Sequence, residues 1–314
     1  MATQLVDNYV PASAKALIPA IRGLAATASV EMLAREIRGL AQAGPLLAPG
    51  STVSIGWLPA DGDDDRVAAA VAIRDAGMVP LVHLAARRIA SEGAIDGLLT
   101  RLQDEAGVTD LFVIGGDIRN PVGPYASALE LLSRTLRGRP GIRRIGFGAY
   151  PEPHPVIPRE LLDSQLDTKI AVAIDAGLAP FVTTQFCFSA DPILGWLEAF
   201  RQRWPDIPVR IGLTGPAGVR TLLRYARLCG VGASSRALIG NGASIARLLT
   251  EAGSDPIIRA IAEQGAIDRF GPIDLHLFSF GGLDRTARWL SAVARGSFKL
   301  RPSEAGFQLL PHSA

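Results

Sequence analysis

The chain of 314 residues is 48% hydrophobic, which is enough apolar material for a sizeable core and excludes an intrinsically disordered chain. Its formal net charge is +2 and its charged residues are scattered, whereas nucleic-acid and membrane surfaces need clustered basic residues. We therefore expect neither nucleic acid nor membrane as a partner. Cys187 and Cys229 are too few for a disulfide framework and lack the spacing of a zinc site, so we predict no metal.

The N-terminal segment shows no basic-then-apolar signal pattern over Met1 to Ile18. The apolar stretches of the chain are interrupted well short of the ~20 residues that span a bilayer. We therefore expect a cytoplasmic protein, and the sequence leaves its oligomeric state open.

Eight short runs are near-continuously apolar or β-branched, which is typical of parallel strands covered on both faces. In chain order these predicted strands are Thr27–Leu33, Thr52–Leu58, Val79–Ala85, Asp110–Gly115, Arg144–Tyr150, Phe181–Phe188, Val209–Leu213 and Asp274–Phe280.

Helical patterns separate the predicted strands: Asp65–Ala76, Ala94–Glu105, Tyr125–Leu136, Pro158–Ala176, Pro192–Arg203 and Gly218–Leu228. This alternation indicates a parallel sheet with right-handed crossovers, and eight strands favour a closed (β/α)8 TIM barrel in a single domain.

Two parts of the chain fall outside the regular alternation. The interval from Pro216 to Arg269 is too long for one crossover helix, so we predict two or three helices between strands 7 and 8. We predict a helical N-terminal extension over residues 1–25 and the catalytic barrel over residues 26–314. A Gly240-Asn-Gly-Ala-Ser motif in the long interval is interpreted as a structural turn.

Chemistry in such a barrel lies at the carboxyl ends of the strands, where the loops converge. Polar or aromatic residues mark those ends: Glu31, Trp57, His83, Asp117, Tyr150 with His154, Gln185 with Ser189, and Thr214.

Two carboxylates among them have competing interpretations. Glu31 is either a strand-end residue that faces solvent or pairs with Arg35, or a carboxyl whose pKa is raised by desolvation so that it acts as an acid. Asp117 closes a Val-Ile-Gly-Gly-Asp run and is either a helix cap or a carboxylate exposed to a flat ligand.

The segment Ala149-Tyr-Pro-Glu-Pro-His-Pro155 holds three prolines, which stiffen the loop after the fifth strand. The loop is either merely rigid, or it holds Tyr150 and His154 in place for function.

At this point the chain resembles the methylenetetrahydrofolate reductase family, over nearly its whole length. The matching motifs follow one another in the order Ser29-Val-Glu31, Val82-His83-Leu84, Gly116-Asp117, Tyr125-Ala-Ser127, Ala149–Pro155, Asp175-Ala-Gly177 and Thr184-Gln-Phe186. The tyrosine–proline–histidine loop combined with Thr-Gln-Phe is the most specific of them.

The resemblance implies an oxidoreductase of one-carbon metabolism and methionine biosynthesis that interconverts 5,10-methylenetetrahydrofolate and 5-methyltetrahydrofolate by hydride transfer. Glu31 matches the family's general acid, and Asp117 its pterin-binding carboxylate, whose charge stabilises the iminium cation. The implied substrate contacts also include Gln185, Phe186 and Phe280. The implied contacts of the family's FAD are Trp57, His83, Gly116, Asp117, Tyr125, Ala126, Tyr150, His154 and Lys169.

The departures from the family fall on cofactor positions. Its Arg-Gly-Asp arginine is Gly115 here, and the basic stretch before Asp-Ala-Gly is Ala171-Val172-Ala173, so only Lys169 remains nearby. A Phe expected near position 219 is Val219, and a Leu-Asn-Arg after strand 8 is Phe280-Gly281-Gly282. Losing several basic partners should weaken binding of the flavin pyrophosphate by several kcal/mol.

Two hypotheses about the cofactor follow. The protein is either a flavin-poor or flavin-free enzyme that takes hydride directly from NAD(P)H, or a weak FAD enzyme that uses another electron donor or mainly oxidises 5-methyltetrahydrofolate.

Two further hypotheses about the function remain. One is a non-catalytic folate-binding protein on the same scaffold. The other is a metal-dependent barrel hydrolase that uses His83, Asp117, His154 and His276, although the sequence has no paired histidine spacing.

Overall fold

The computed structural model describes residues 14–232, 251–265, 269–301 and 306–311. Eight parallel strands close into a barrel, each paired with its sequence neighbours, and the last pairs with the first. We label them β1 Ser29–Leu33, β2 Thr52–Gly56, β3 Val79–Ala85, β4 Asp110–Ile114, β5 Arg144–Ala149, β6 Ala179–Thr184, β7 Val209–Thr214 and β8 Ile273–Phe278. The predicted single-domain (β/α)8 barrel is confirmed.

Helices cover the outside of the barrel. They are α1 Ala14–Ala26, α2 Ile37–Ala43, α3 Asp63–Asp75, α4 Glu92–Ala106, α5 Ala128–Leu131, α6 Arg159–Asp175, α7 Asp191–Arg203, α8 Val219–Cys229, α9 Asp255–Glu263 and α10 Leu283–Ala294. A π-helical turn, Leu132–Leu136, continues α5. None of the helices in the described ranges is long and apolar enough to cross a membrane.

The element boundaries differ from the sequence prediction where side chains cap the backbone. The predicted helix from Tyr125 begins three residues later, because the Ser127 hydroxyl accepts the backbone N–H of Glu130 and caps α5. The predicted strand to Phe188 ends at Thr184, where the Gln185 side-chain oxygen accepts the N–H of Phe186 at 3.1 Å.

The barrel wall has an apolar outer face and a partly polar interior. Phe147 and its outward-facing neighbours pack in the large core beneath the helices. On the inner side, Phe112 and Phe181 lie so close to Gly146 that a Cβ there would overlap both rings. Inward-facing polar side chains continue up the barrel, from Arg210 near its amino end to Glu31 at its carboxyl end.

The extra helices predicted between strands 7 and 8 include α8 and α9. Residues 233–250, which contain the Gly240 motif, lie outside the described residues. The N-terminal helix α1 packs against α9 and α10, while residues 1–13 lie outside the described ranges. The proposed division at residue 25 stays a prediction.

Candidate active site

Glu31 lies on the inner face of β1, near the carboxyl end of the barrel. Its register partners are Ser54 on β2 and Phe278 on β8. The carboxyl group lies over Gly56, where an added Cβ would be 3.5 Å from Glu31 Oε1. Its other oxygen is 3.6 Å from His83 Nε2 on β3. Because Gly56 has no side chain, the Glu31 carboxyl group and the Leu33 side chain pack directly against its backbone.

The burial of Glu31 makes it a weak acid. Desolvation, assisted by the nearby Glu36 charge, raises the pKa of Glu31 from its ordinary value of 4.5 to about 8. Desolvation lowers the pKa of His83 to about 4. At neutral pH the two side chains are therefore a protonated carboxyl and a neutral imidazole rather than an ion pair. Glu31 holds a proton that it can donate near neutral pH.

The histidines inside the barrel are fixed by their neighbours. His83 packs on the Phe112 ring with centroids 4.6 Å apart. His276 Nδ1 is 2.8 Å from the Ser29 hydroxyl, and burial, followed by the Arg210 and His83 charges, lowers the pKa of His276 well below its ordinary value. Both rings support the Glu31 environment without bringing a second charge close to it.

Asp117 lies at the end of β4 but faces solvent. Its carboxylate accepts two hydrogen bonds from Arg88, with Nε–Oδ1 at 2.7 Å and Nη2–Oδ2 at 3.0 Å. This pairing, more than any other influence, lowers the pKa of Asp117. The acid is therefore ionised at the barrel mouth, and Arg88, from the loop after β3, holds it there. A role in pterin binding stays a prediction.

Arg87 occupies the space beside the two glycines that precede Asp117. A Cβ on Gly115 would lie 3.3 Å from Arg87 Nη2, and the guanidinium also donates to the carbonyl of Gly116. The sequence shows that position 115 lacks an arginine, but it does not indicate Arg87, which follows the neighbouring strand β3. Only the three-dimensional pairing of β3 with β4 brings it there.

The proline-rich loop places Tyr150 and His154 edge to face, with ring centroids 5.2 Å apart. His154 Nδ1 accepts the backbone N–H groups of Val156 and Ile157 at 3.2 and 3.1 Å, which assigns the ring proton to Nε2. Burial raises the pKa of Tyr150, with a further contribution from Cys229 that the Arg87 charge opposes. The loop is thus rigid and turned toward the mouth.

An aromatic cluster covers the mouth between β6, β8 and α8. Phe186 contacts Phe280 edge to face at 5.1 Å and Phe278 at 5.7 Å. Tyr225 of α8 stacks on Phe280 with centroids 4.0 Å apart and an interplanar angle of 9°. Phe186 and Phe280 were predicted as substrate contacts. Phe278 and Tyr225 were not predicted. Phe278 is the last residue of β8, and Tyr225 reaches the mouth on α8, which comes from the long interval after β7.

The aromatic cluster leaves little space next to Gln185. A cavity of about 10 Å³, roughly the room for one water, lies between the loops after β5 and β6 and the end of α8. Cys229 at the end of α8 is half-buried; desolvation raises the pKa of its thiol, and the nearby Glu31 charge adds to the shift. The end of α8 therefore lies near the same mouth as Glu31, and the cavity there has no room for a group much larger than a water.

The residues expected to contact a flavin are scattered around the barrel. Tyr125 is fully buried with its hydroxyl bonded to Thr135, and Ala126 follows it in the same loop. Lys169 lies behind the barrel wall, 5.4 Å from the Phe147 ring, and burial lowers its pKa to about 8. Trp57 is covered by the Arg66 guanidinium at 3.6 Å. Of this set, the structure brings His83, Gly116, Asp117, Tyr150 and His154 to the mouth.

The four residues of the metal-hydrolase reading do not come together. Within the described ranges, no group of three or more His, Cys, Asp or Glu side chains is arranged to hold a metal ion. His276 is bonded to Ser29 inside the barrel, whereas Asp117 is bonded to Arg88 outside it.

Comparison with solved structures supports the fold. The chain is similar to an uncharacterised protein from Clostridium thermocellum that binds two copies of 5-methyl-5,6,7,8-tetrahydrofolic acid. The TM-score is 0.57 at 11% identity, over 85% of this chain and 94% of that one. At this identity the likeness shows the fold alone. A match to tryptophan synthase from M. tuberculosis has a TM-score of only 0.40 at 13% identity, over 89% of this chain and 96% of that one.

A family model gives the more specific result. The model described as methylenetetrahydrofolate reductase matches residues 26–237, which is more than half of the chain and runs from β1 through α8. The matched range contains Glu31, His83, Asp117, the proline-rich loop and Gln185. The chain therefore belongs to the methylenetetrahydrofolate reductase family.

Proposed function

We propose that this chain interconverts 5,10-methylenetetrahydrofolate and 5-methyltetrahydrofolate by hydride transfer, with Glu31 as the general acid. The observation that carries the proposal is the environment of Glu31. Its carboxyl group is desolvated, has a pKa of about 8, and lies 3.6 Å from the neutral imidazole of His83 at the carboxyl end of the barrel. A binding protein has no use for an acid tuned in this way, whereas this reaction needs one.

The chemistry follows from the substrate. The one-carbon bridge opens to an iminium cation before a hydride reaches it, and opening requires a proton at N10. Glu31 supplies that proton and becomes a carboxylate. The new negative charge, together with Asp117, stabilises the cation electrostatically. The pKa of Glu31 is raised and the pKa of Asp117 is lowered. These opposite shifts suit two different roles in catalysis, with Glu31 as the acid and Asp117 as the charged group that stabilises the cation.

Folate binding in this proposal uses the mouth residues. Gln185 offers an amide that can both donate to and accept from the pterin edge, and the Phe186–Phe280 pair offers aromatic faces. Asp117 would exchange its Arg88 partner for the pterin. The similar protein from Clostridium thermocellum binds 5-methyltetrahydrofolic acid, which supports this class of ligand.

The residues present fit a tightly bound flavin poorly. Lys169, the remaining basic residue before Asp-Ala-Gly, lies behind Phe147, and Tyr125 is buried with its hydroxyl engaged. We therefore assign no step to a flavin and propose a reduced nicotinamide dinucleotide as the direct hydride donor.

The proposal is tested by following the hydride. Purified chain, without added flavin, is incubated anaerobically with 5,10-methylenetetrahydrofolate and NADH that carries deuterium at the transferable position. We expect 5-methyltetrahydrofolate with one deuterium in the methyl group, measured by mass spectrometry. A product without deuterium, or formed only after addition of FAD, would contradict direct transfer.

A non-catalytic folate-binding protein is the second candidate. It is favoured by the filled mouth, because the cavity beside Gln185 has room for about one water. In that case 5-methyltetrahydrofolate binds, but no deuterium is transferred in the reduction or in the reverse oxidation. Glu31→Gln then leaves the affinity for folate unchanged.

A further inference from the structure

A second and larger pocket lies beside the mouth, between the loops after β2 and β3. Its volume is about 330 Å³, against about 10 Å³ for the cavity next to Gln185. Small-molecule sites range from roughly 300 to 1,000 Å³. This pocket can therefore hold a nucleoside-sized group without movement of the protein.

The pocket combines an apolar floor with polar atoms that lack partners. The buried side chains of Ile89, Ile95 and Leu98 form part of the floor. At the opposite side, Arg66 is 4% exposed and its Nε has no hydrogen-bonding partner among the described residues, and the same holds for Asp61 Oδ2. Buried polar groups without partners are uncommon, and ligand groups commonly satisfy them.

Two arginines connect the pocket to the barrel mouth. Arg88 lines the pocket and binds Asp117 at the end of β4. Arg87 comes next to it and lies against Gly115 and Gly116, with its Nε also unpaired within the described part of the chain. Because neither glycine has a side chain, the Arg87 guanidinium can lie directly against the backbone that leads to Asp117. Arg87 and Arg88 therefore provide positive charge between the pocket and the carboxyl end of the barrel, where Glu31 lies.

We propose that this pocket binds the ADP half of the dinucleotide hydride donor. The adenine would lie on the apolar floor, the ribose hydroxyls would donate to Asp61, and the diphosphate would bind Arg87 and Arg88. A planar arginine fork suits phosphate oxygens, and a carboxylate suits ribose hydroxyls. The inference rests on the proposed hydride-transfer function and adds the donor's binding site to it.

The same geometry predicts that the pocket prefers NADH over NADPH. Asp61, and Asp63 at the start of α3, both line the pocket. A 2′-phosphate on the adenosine ribose would place two more negative charges against these carboxylates. The chain should therefore use NADH at least tenfold more efficiently than NADPH, and Asp61→Asn should narrow that difference.

The pocket is tested directly by titrating the full chain with ADP in a calorimeter. Ala94 is exposed in the first turn of α4 and lines the pocket, so Ala94→Trp should fill it and weaken ADP binding at least tenfold. Gly97→Trp is the matched control, since Gly97 is exposed on the same helix and has nothing within 4 Å. Its ADP affinity should stay within twofold. Arg87→Gln should weaken ADP at least tenfold while adenosine binds as before.

Each alternative has its own outcome. The proposal is overturned if ADP does not bind the unsubstituted chain, if Ala94→Trp binds ADP normally, or if Arg87→Gln weakens 5-methyltetrahydrofolate instead of ADP. Displacement of ADP by NADH supports the nicotinamide donor, and displacement by FAD alone contradicts it. Failure of the proposed function is distinguishable, because ADP then binds the pocket while no labelled 5-methyltetrahydrofolate forms.

Discussion

At the scale of single residues, the unusual acidity of Glu31 results from where β1 places it. A carboxyl group at this position has Gly56 on one side and a neutral imidazole on the other. Neither neighbour carries a positive charge that would offset the loss of hydration, so the protonated form is favoured. The sequence already suggested this, because a carboxylate at the end of an apolar strand needs a physical reason.

The raised pKa of Glu31 has a consequence for stability. Between pH 4.5 and about 8 the unfolded chain loses this proton while the folded chain keeps it, so the free energy of unfolding falls as pH rises through that window. Glu31→Gln removes this dependence, so its stability relative to the unsubstituted chain should rise by roughly 3 to 5 kcal/mol between pH 4.5 and pH 8.

Urea unfolding of both proteins across this range measures the difference. The lowered pKa of His83 acts in the opposite sense, with stability lost as pH falls from 6.5 through about 4, but it is present in both proteins and cancels. Glu160→Gln, at an exposed position in α6, is the matched control for the same chemical substitution. A constant difference between Glu31→Gln and the unsubstituted chain would refute the pKa assignment.

Site residues that lie at strand ends could be predicted from the sequence, whereas residues placed by contacts remote in sequence could not. Glu31, His83 and Gln185 lie at strand ends, where the barrel rule alone locates them. Arg87 and Tyr225 could not be found in this way, because their roles depend on contacts with Gly115 and Phe280 that are remote in sequence.

At the scale of elements, the packing of the barrel interior depends on glycines that replace inward-facing side chains. A Cβ at Gly212 on β7 would overlap the Thr184 carbonyl of β6 and come within 2.9 Å of the Phe278 ring. Gly148 on β5 has nothing within 4 Å. Strand periodicity shows that such residues lie in strands, but it does not show which of them face a close neighbour.

These two glycines give a matched pair of variants. Gly212→Ala should lower the free energy of unfolding by about 3 kcal/mol, because backbone or ring must shift to admit the methyl group. Gly148→Ala should change it by less than about 0.5 kcal/mol. Chemical denaturation compares them directly, and equal effects of the two substitutions would contradict the register of β6, β7 and β8 described here.

At the scale of the whole molecule, α1 completes the outer layer of the barrel. Ile21 is fully buried and Leu17 and Leu24 are nearly so, in contact with the helices that precede and follow β8. The sequence predicts this helix as part of an N-terminal extension, and the boundary at residue 25 stays a prediction. Its buried side chains belong to the same hydrophobic core cluster as the outward-facing residues of the strands, because helix packing is decided by contacts that the order of elements along the chain does not contain.

This placement of α1 predicts a measurable stability contribution. Ile21→Ala should lower the free energy of unfolding by roughly 2 to 5 kcal/mol through lost burial and a residual cavity. Ala16→Ser, at an exposed position on the same helix, should have an effect of about 0.5 kcal/mol or less. If both variants unfold at the same urea concentration as the parent chain, α1 does not pack as described.

The role of Glu31 as the proton donor is tested most directly by the pH dependence of 5,10-methylenetetrahydrofolate reduction with NADH. The rates are compared between the unsubstituted chain and Glu31→Gln. With a general acid whose pKa is about 8, the rate should hold at neutral pH and fall tenfold per pH unit above 8. Glu31→Gln should be slower by about 100-fold or more, and the alkaline fall should be absent. Reduction by Glu31→Gln at the full rate, with the same alkaline fall, would contradict the assignment of Glu31 as the proton donor.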